Sequence, residues 1–158
     1  MRSCFMIGLI LAIIIVNYIA FSTNTRLTTN QIVHIWMFTI AFQMNFDFYV
    51  DMEHNGYWYF TKRADWKELP TNIILVPPVN IIFLNFFPFK KSLVKKLSFF
   101  LLFLIGILIY EVIALLPEPW GYFHFGWWKL SYSLILDPIL LLIILGYYKW
   151  ICHIESDK

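Results

Sequence analysis

The stretch LSFFLLFLIGILIYEVIALL, residues 97–116, decides the fold class of this chain, because Glu111 is its only charged residue. An α-helix rises about 1.5 Å per residue, and the hydrocarbon core of a bilayer is about 30 Å thick. About 20 consecutive apolar residues can therefore cross the core as one helix. The stretch predicts a transmembrane helix that carries a single acidic side chain.

The composition of the whole chain indicates the same class. Hydrophobic residues fill 60% of the 158 positions and charged residues only 14%, whereas soluble domains carry about 25% charged residues. The mean hydropathy is +0.68. A formal net charge of +2 is too small to indicate nucleic-acid binding. We therefore expect a single integral membrane domain over residues 1–158, embedded in a lipid bilayer.

Five stretches have the length and composition of spans, at residues 4–21, 32–50, 69–87, 97–116 and 130–150. The second is the least apolar, because it contains Gln43, Asn45 and Asp47. The third contains Pro77 and Pro78, which predict a bend or a break in the helix. The expected fold class is all-α, a helical transmembrane bundle of about five spans.

The first span also has a feature of secretory signal peptides, since Arg2 precedes the apolar run. The run is long for such a signal and no A-x-A-like cleavage site follows it, which favours a retained anchor. Cys4 and Cys152 fall at opposite ends of the predicted bundle. A disulfide needs Cα atoms within about 7 Å of each other, so we expect none between these two residues.

Alternation of five spans sorts the connecting segments between two poles. The first pole takes the N-terminus and the loops 51–68 and 117–129, and the second takes the turn 22–31, the loop 89–96 and the C-terminus. Most acids then lie at the first pole: Asp47, Asp51, Glu53, Asp65, Glu68, Glu111, Glu118 and Asp137. The second pole holds more Lys and Arg, which are enriched in cytoplasmic segments. We expect a cell-membrane protein with the N-terminus outside and the C-terminus in the cytoplasm.

Four polar residues of the second span follow helical spacing. Gln43, Asp47, Asp51 and His54 lie four, four and three positions apart, which places them along one face of an α-helix. Asp47, Asp51 and His54 have ligand types suited to a divalent cation. Two stacked carboxylates also suit a proton relay, since one could hold a proton at neutral pH. The alternative is that Asp51 and His54 lie wetted and inert at the level of the lipid headgroups.

Glu111 and Asp137 are the other acids inside predicted spans. A charge there costs at least about 2.5–3.5 kcal/mol on insertion scales. We expect Glu111 to be protonated, paired with a cation such as Lys129, exposed to a polar cavity, or held by a hydrogen bond to Asn80 or an aromatic side chain. Asp137 precedes Pro138, so it either caps a helix that restarts at this proline or has a functional role.

The loop PEPWGYFHFGWWK, residues 117–129, is rich in aromatic side chains. One interpretation is an aromatic belt at the membrane interface. The other is a lid over the acidic pole, in which His124 titrates near neutral pH and Lys129 helps to grip a lipid headgroup or small amphiphile.

Several short patterns lie along the chain beyond the first span: Asp47 and Asp51 before YWYF, Asp65-Trp66, Leu69-Pro70, Val76-Pro77, Asn85-Phe86 with Pro88, Glu111, Gly126-Trp127-Trp128-Lys129 and Tyr132-Ser133. In these the chain resembles a family of small uncharacterised multi-pass membrane proteins of endospore-forming Gram-positive bacteria. The resemblance implies a bacterial cell membrane. It implies no activity, ligand or catalytic residue.

The sequence does not name a specific activity. Our leading hypothesis is a non-enzymatic membrane protein that binds a small ligand, a cation or a partner, with the ligand-binding residues Asp47, Asp51, Glu111, His124 and Lys129. One alternative is a membrane-embedded enzyme that acts on a lipid or isoprenoid through a metal held by Asp47, Asp51 and His54. Another is a structural subunit of a membrane complex or homo-oligomer. No catalytic residue can be assigned.

Overall fold

The computed structural model describes residues 6–62, 66–117 and 119–157. These ranges contain five α-helices: α1 Ile7–Ser22, α2 Thr29–Asp47, α3 Val76–Phe86, α4 Leu93–Ala114 and α5 Leu130–Ser156. They also contain two short strands, β1 Tyr57–Tyr59 and β2 Phe123–Phe125. Three short helical segments complete the described ranges: π-helical Phe48–Glu53, 3₁₀-helical Trp66–Glu68 and π-helical Thr71–Leu75. The fold is mostly helical, as predicted.

Three helical stretches within the described residues are long and apolar enough to cross a membrane: Trp66–Phe86, α4 and α5. They contain 21, 22 and 27 residues. Helix α1 is apolar but has only 16 residues, and α2 has 19 residues with several polar side chains among them. Membrane-compatible helices are therefore present, while a total of five spans stays a prediction.

The mostly helical fold contains one element that was not predicted, a two-stranded antiparallel sheet formed by loops of the first pole. Strands β1 and β2 pair in a register that places Trp58 opposite His124. Aromatic residues favour such strands, since their rings pack well on a pleated surface. Gly126 permits the close approach of the two loops. A Cβ atom at this position would lie 2.2 Å from the carbonyl oxygen of Asn55.

The Pro77–Pro78 pair lies where the helix changes type. The chain is π-helical over Thr71–Leu75 and α-helical from Val76, so both prolines fall in the first turn of α3. Proline is tolerated in a first turn because its missing N–H is not needed there. Both rings are fully buried. The expected interruption is thus a change of helix type within one continuous stretch, Trp66–Phe86.

Helix α5 continues through Pro138, so the expectation that a helix restarts there with Asp137 as its cap is wrong. Proline is tolerated inside membrane helices where neighbouring elements hold the segment. Helix α5 contacts α2, α3 and α4, and both Ser133 and Leu141, on either side of the proline, are buried. Asp137 therefore belongs to a helical turn that faces other helices.

Hydrogen bonds join the segments of the second pole. Asn85, near the end of α3, accepts from the backbone N–H groups of Thr25 and Arg26 at 3.1 and 3.2 Å. Gln31, in the first turn of α2, donates to Glu155 near the end of α5 at 2.5 Å. The turn between α1 and α2 therefore lies beside the ends of α3 and α5, as the alternation of spans predicts.

Helix α1 packs into the same bundle. Asn17 donates from its side chain to the carbonyl oxygen of Ile74 at 3.0 Å, and Gly8 donates from its backbone to Pro119 at 3.3 Å. Helix α1 therefore contacts both the third helical stretch and the loop that leads into β2. The predicted lack of a disulfide at Cys4 concerns a residue outside the described ranges.

Candidate functional site

Asp47 is buried at the end of α2, beneath strand β1. Its Oδ1 atom accepts from Gln43 at 3.0 Å and from the hydroxyl group of Tyr57 at 2.5 Å. Gln43 lies one turn earlier on the same helix, as the predicted spacing requires. Burial raises the pKa of Tyr57 well above its usual value, so this hydroxyl stays protonated and can donate.

Asp51 is buried in the π-helical turn that follows α2. Burial, and then the nearby charge of Asp47, raise the pKa of Asp51 from 3.8 to about 6. Both causes act on the ionised form, which loses water and meets a like charge. The two predicted carboxylates therefore lie close enough to influence each other.

His54 does not join these carboxylates. It is exposed, and its Nδ1 atom lies 2.7 Å from the carbonyl oxygen of Tyr49. The π-helical segment Phe48–Glu53 has wider i→i+5 turns, so residues after Asp47 leave the face that a regular α-helix would give them. Within the described ranges, no group of three or more His, Cys, Asp or Glu side chains could hold a metal ion. The structure thus does not bring together the three predicted metal ligands.

Glu111 lies near the end of α4 and contacts the start of α5. Its Oε1 atom accepts from the hydroxyl group of Ser133 at 2.6 Å, and Ser133 in turn accepts from Trp128 Nε1 at 3.0 Å. Two of the outcomes expected for this acid occur together, because Glu111 accepts a hydrogen bond and also lines a cavity among the helices. The hydrogen bond comes from Ser133 and not from Asn80.

The cavity has a volume of about 550 Å³ and lies between the helices and the sheet. At the first pole it is lined by aromatic side chains of the two strands and of the residues beside β2, which are Tyr57, Tyr59, Tyr122, Phe123 and Trp128. Its deeper part is lined by apolar side chains of the spans, among them Val79, Ile82, Ile107, Leu140 and Ile144. The lining is thus mostly apolar, with aromatic side chains at the first pole and one hydrogen-bonded polar pair, Thr39 and Asn80, among the spans.

Asp137 also lines this cavity. It follows Ser133 by four residues, so the two side chains lie on one face of α5, with Glu111 bonded to the first of them. Asp137 Oδ2 and Thr71 Oγ1 are buried and have no hydrogen-bond partner in the part of the chain that the structure describes. Thr71 lines the cavity as well, so two polar atoms there lack partners.

The cavity opens between α4 and α5. Three of its lining residues are exposed, Leu102 and Gly106 on α4 and Ile143 on α5. Both helices are long and apolar enough to cross a membrane. An opening between two such helices faces the hydrocarbon of a bilayer when they span it.

Two predicted ligand residues, His124 and Lys129, lie outside the cavity. Side chains alternate between the faces of a strand, and Phe123 lines the cavity, so His124 lies on the opposite face. Its ring stacks on Trp58 with the ring centroids 6.0 Å apart, and the Nζ atom of Lys62 lies 4.7 Å from the centroid of the same tryptophan. Lys129 is exposed just before α5.

The acids that the sequence groups together are therefore divided by the fold. Asp47 and Asp51 lie behind Tyr57, whereas Glu111 and Asp137 line the cavity directly. Ser133 and Thr71 were not predicted as site residues, because neither carries a charge or belongs to a recognisable motif. The four-residue spacing of Ser133 and Asp137 was the available signal for a polar face on α5.

The fold and cavity define a mostly helical protein with membrane-compatible helices and a site enclosed among them. Comparison with known proteins adds no relative: no protein-family model, no curated protein and no solved structure matches the chain.

Proposed function

We propose that this chain is a five-span protein of a bacterial cell membrane that binds a small lipophilic ligand in the cavity between α4 and α5. Glu111 and Asp137 form the polar end of the site, with Ser133 and Trp128 holding Glu111 in place. Asp47 and Asp51 lie on the other side of Tyr57 and stabilise the aromatic end of the cavity. In this proposal the chain acts as a binding protein.

One observation carries this proposal, which is the cavity itself. Its volume of about 550 Å³ falls within the range of about 300–1,000 Å³ that is typical of small-molecule sites. Such sites are mostly apolar and hold a few convergent polar groups, and this one combines aliphatic walls with two carboxylates.

The contacts at both poles support five spans. Trp66–Phe86 joins the two poles, and α2 runs between the same ends, from Gln31 beside Glu155 to Asp47 beneath β1. Helix α1 also connects them, because Gly8 contacts Pro119 while Thr23, at the other end, accepts from the side chain of Asn85. Helices α1 and α2 therefore lie beside Trp66–Phe86 and run between the same two poles.

Cysteine accessibility tests the topology and the orientation. In a variant without Cys4 and Cys152, we expect a membrane-impermeant maleimide to label Lys62→Cys in intact cells and Lys91→Cys only after the cells are opened. Both lysines are exposed, at the first and second pole respectively. The reverse pattern would overturn the orientation, and labelling of both in intact cells would show that Trp66–Phe86 does not cross the membrane.

Thermal unfolding in a neutral detergent tests the binding site. Tetraphenylmethane is a neutral lipophilic probe, and a ligand that binds only the folded protein raises its melting temperature Tm. The test variant is Gly106→Trp, which fills the mouth of the cavity. The control is Gly146→Trp, on α5 and outside the cavity. At both glycines an added Cβ would meet no atom within 4 Å. We expect the probe to raise the Tm of the native protein and of Gly146→Trp, but not of Gly106→Trp. Equal shifts in all three proteins would reject the site.

A further inference from the structure

The structure points to the chemical class of the ligand. We propose that the cavity takes a lipophilic organic cation, an apolar body that carries one positive charge, which reaches the site from the bilayer. This inference rests on the proposed function, because it concerns the same cavity.

The charge of the lining is the first argument. Two carboxyl groups, Glu111 and Asp137, face the cavity, and among the described residues that line it there is no Lys, Arg or His. A carboxylate removed from water is costly unless a cation pairs with it. An occupant with a positive charge supplies that partner, while an anionic occupant would meet two like charges.

Unpartnered polar atoms provide a second and independent argument. Thr71 is only 3% exposed and lines the cavity, and its buried Oγ1 atom has no hydrogen-bond partner in the described ranges. The same holds for Asp137 Oδ2. Buried polar atoms are almost always satisfied in folded proteins. Thr71 and Asp137 both line the cavity, so these unsatisfied atoms lie in the wall of the site that a polar group of a ligand would approach.

The aromatic end of the cavity favours the same class. Tyr57, Tyr59, Tyr122 and Trp128 line it beside the carboxylates, and the hydroxyl groups of Tyr110 and Tyr122 hydrogen-bond to each other. The faces of aromatic rings attract cations, by about 0.5–2 kcal/mol for each well-placed ring. Carboxylates and ring faces together are therefore suited to an organic cation.

The apolar walls exclude a bare metal ion as the occupant. A hard divalent cation takes six or more oxygen ligands at about 2.0–2.6 Å, whereas most of the side chains around this cavity are hydrocarbon. A lining that is mostly apolar instead fits the hydrocarbon body of an amphiphile. The opening at Leu102, Gly106 and Ile143 would admit such a molecule directly from the hydrocarbon of the membrane.

Three probes of nearly equal shape and different charge test the inference on the native protein. They are tetraphenylphosphonium, which is cationic, tetraphenylmethane, which is neutral, and tetraphenylborate, which is anionic. We expect tetraphenylphosphonium to raise the Tm at concentrations at least tenfold below those that tetraphenylmethane requires, and tetraphenylborate to give no rise. Gly106→Trp should remove the effect of the cation, while Gly146→Trp should keep it.

Matched acid variants locate the charge recognition. Glu111→Gln and Asp137→Asn should each weaken binding of tetraphenylphosphonium at least tenfold more than they weaken binding of tetraphenylmethane. Glu53→Gln changes an exposed acid of the same pole that lies outside the cavity and should alter neither. The comparison of probes on the native protein remains decisive if an acid variant fails to fold.

The possible failures are distinguishable. If the cation and the neutral probe protect the native protein equally and Gly106→Trp abolishes both effects, the cavity binds ligands but does not select a positive charge, and the inference is overturned alone. If none of the three probes raises the Tm of the native protein above that of Gly106→Trp, the cavity is not a ligand site and the proposed function falls with the inference.

Discussion

The hydroxyl group of Tyr57 donates a hydrogen bond of 2.5 Å to Oδ1 of the buried Asp47. This bond links strand β1 to the end of α2, and Tyr57 also forms part of the aromatic wall of the cavity. The same tyrosine ring contacts Trp128, with the ring centroids 5.5 Å apart, and Trp128 donates to Ser133 beside Glu111. The two groups of acids are therefore connected through two aromatic side chains.

Tyr57→Phe should destabilise the protein. The substitution keeps the ring but removes a donor to a buried acid, and the loss of such a bond costs about 1–3 kcal/mol. Tyr49→Phe is the matched control, because it also removes one hydroxyl group but at a residue that is 60% exposed. We expect it to change the free energy of unfolding by less than about 0.5 kcal/mol. Denaturant unfolding in a neutral detergent measures both. Equal effects would show that the Tyr57 bond contributes nothing specific.

The long apolar helices were predictable from the sequence because a run of apolar residues is a local property. Residues 97–116 are predicted as a span, and α4 covers Leu93–Ala114. The sheet was not predictable in this way. Its aromatic strands resemble interfacial loops, and their pairing joins segments on either side of two helical stretches. The sequence predicted only that these two loops lie at the same pole, because the spans alternate in direction.

The pH dependence of stability should change in Asp51→Asn. The pKa of Asp51 in the folded protein, about 6, lies above its ordinary value of 3.8, so the folded state binds this proton more readily than the unfolded chain. The tighter binding of this proton stabilises the folded protein. The stabilisation is fully present below about pH 4 and is lost as the pH rises through about 6. We expect Asp51→Asn to be more stable than the native protein by about 1 kcal/mol at pH 7, after screening by nearby water is counted.

Unfolding measured from pH 4 to pH 8 checks this sign. The advantage of Asp51→Asn should shrink as the pH falls and should be absent at pH 4. Glu53→Gln alters an exposed acid two positions away and should follow the native profile. An advantage that stays constant with pH would assign the effect to packing and not to the ionisation of Asp51.

Ser133→Ala should destabilise the acidic end of the cavity. Ser133 is only 4% exposed, accepts from Trp128 and donates to Glu111. Its removal leaves a buried indole N–H group without this acceptor, at a cost of about 1–3 kcal/mol. Ser131→Ala, two residues earlier on the same helix and exposed, should be nearly neutral. A Ser133→Ala protein with native stability would mean that Glu111 and Trp128 are held by other contacts.

The candidate site was predicted only in part, for physical reasons that particular residues illustrate. Glu111 is recognisable because a charge in an apolar run is costly, but its partner Ser133 lies on another helix, and no local pattern connects the two. His54 was assigned to the face of Asp47 by regular helical spacing. The π-helical turn at Phe48–Glu53 ends that spacing, and the sequence carries no simple signal for it.

Substitution of two glycines by alanine should have opposite effects on stability. At Gly126 an added Cβ would lie 2.2 Å from the carbonyl oxygen of Asn55, so the paired loops would have to separate, and we expect a loss of about 2 kcal/mol or more. At Gly146, in α5, an added Cβ meets no atom within 4 Å. Alanine favours a helix over glycine by about 0.5–1 kcal/mol, so Gly146→Ala should be stabilising. A neutral Gly126→Ala would contradict the close pairing of β1 and β2.

Asn85→Ala should be the most damaging single change at the second pole. The side chain of Asn85 is 5% exposed, accepts from the N–H groups of Thr25 and Arg26, and donates to the carbonyl oxygen of Thr23 at 2.9 Å. Alanine would leave three backbone groups of the α1–α2 turn without this partner, and one buried unsatisfied group costs about 1–3 kcal/mol. We therefore expect a loss of at least about 3 kcal/mol in the free energy of unfolding.

The control for this change is Asn45→Ala. Asn45 is exposed and donates to the carbonyl oxygen of Ala41 in its own helix at 2.7 Å, so its loss should change stability by less than about 0.5 kcal/mol. The α1–α2 turn should also become more accessible in Asn85→Ala, and limited proteolysis in detergent would reveal cleavage there but not in Asn45→Ala. If the two variants have the same free energy of unfolding and the same resistance to proteolysis, Asn85 does not anchor α1 and α2 to α3. The packing of the first two helices then depends on their apolar faces alone.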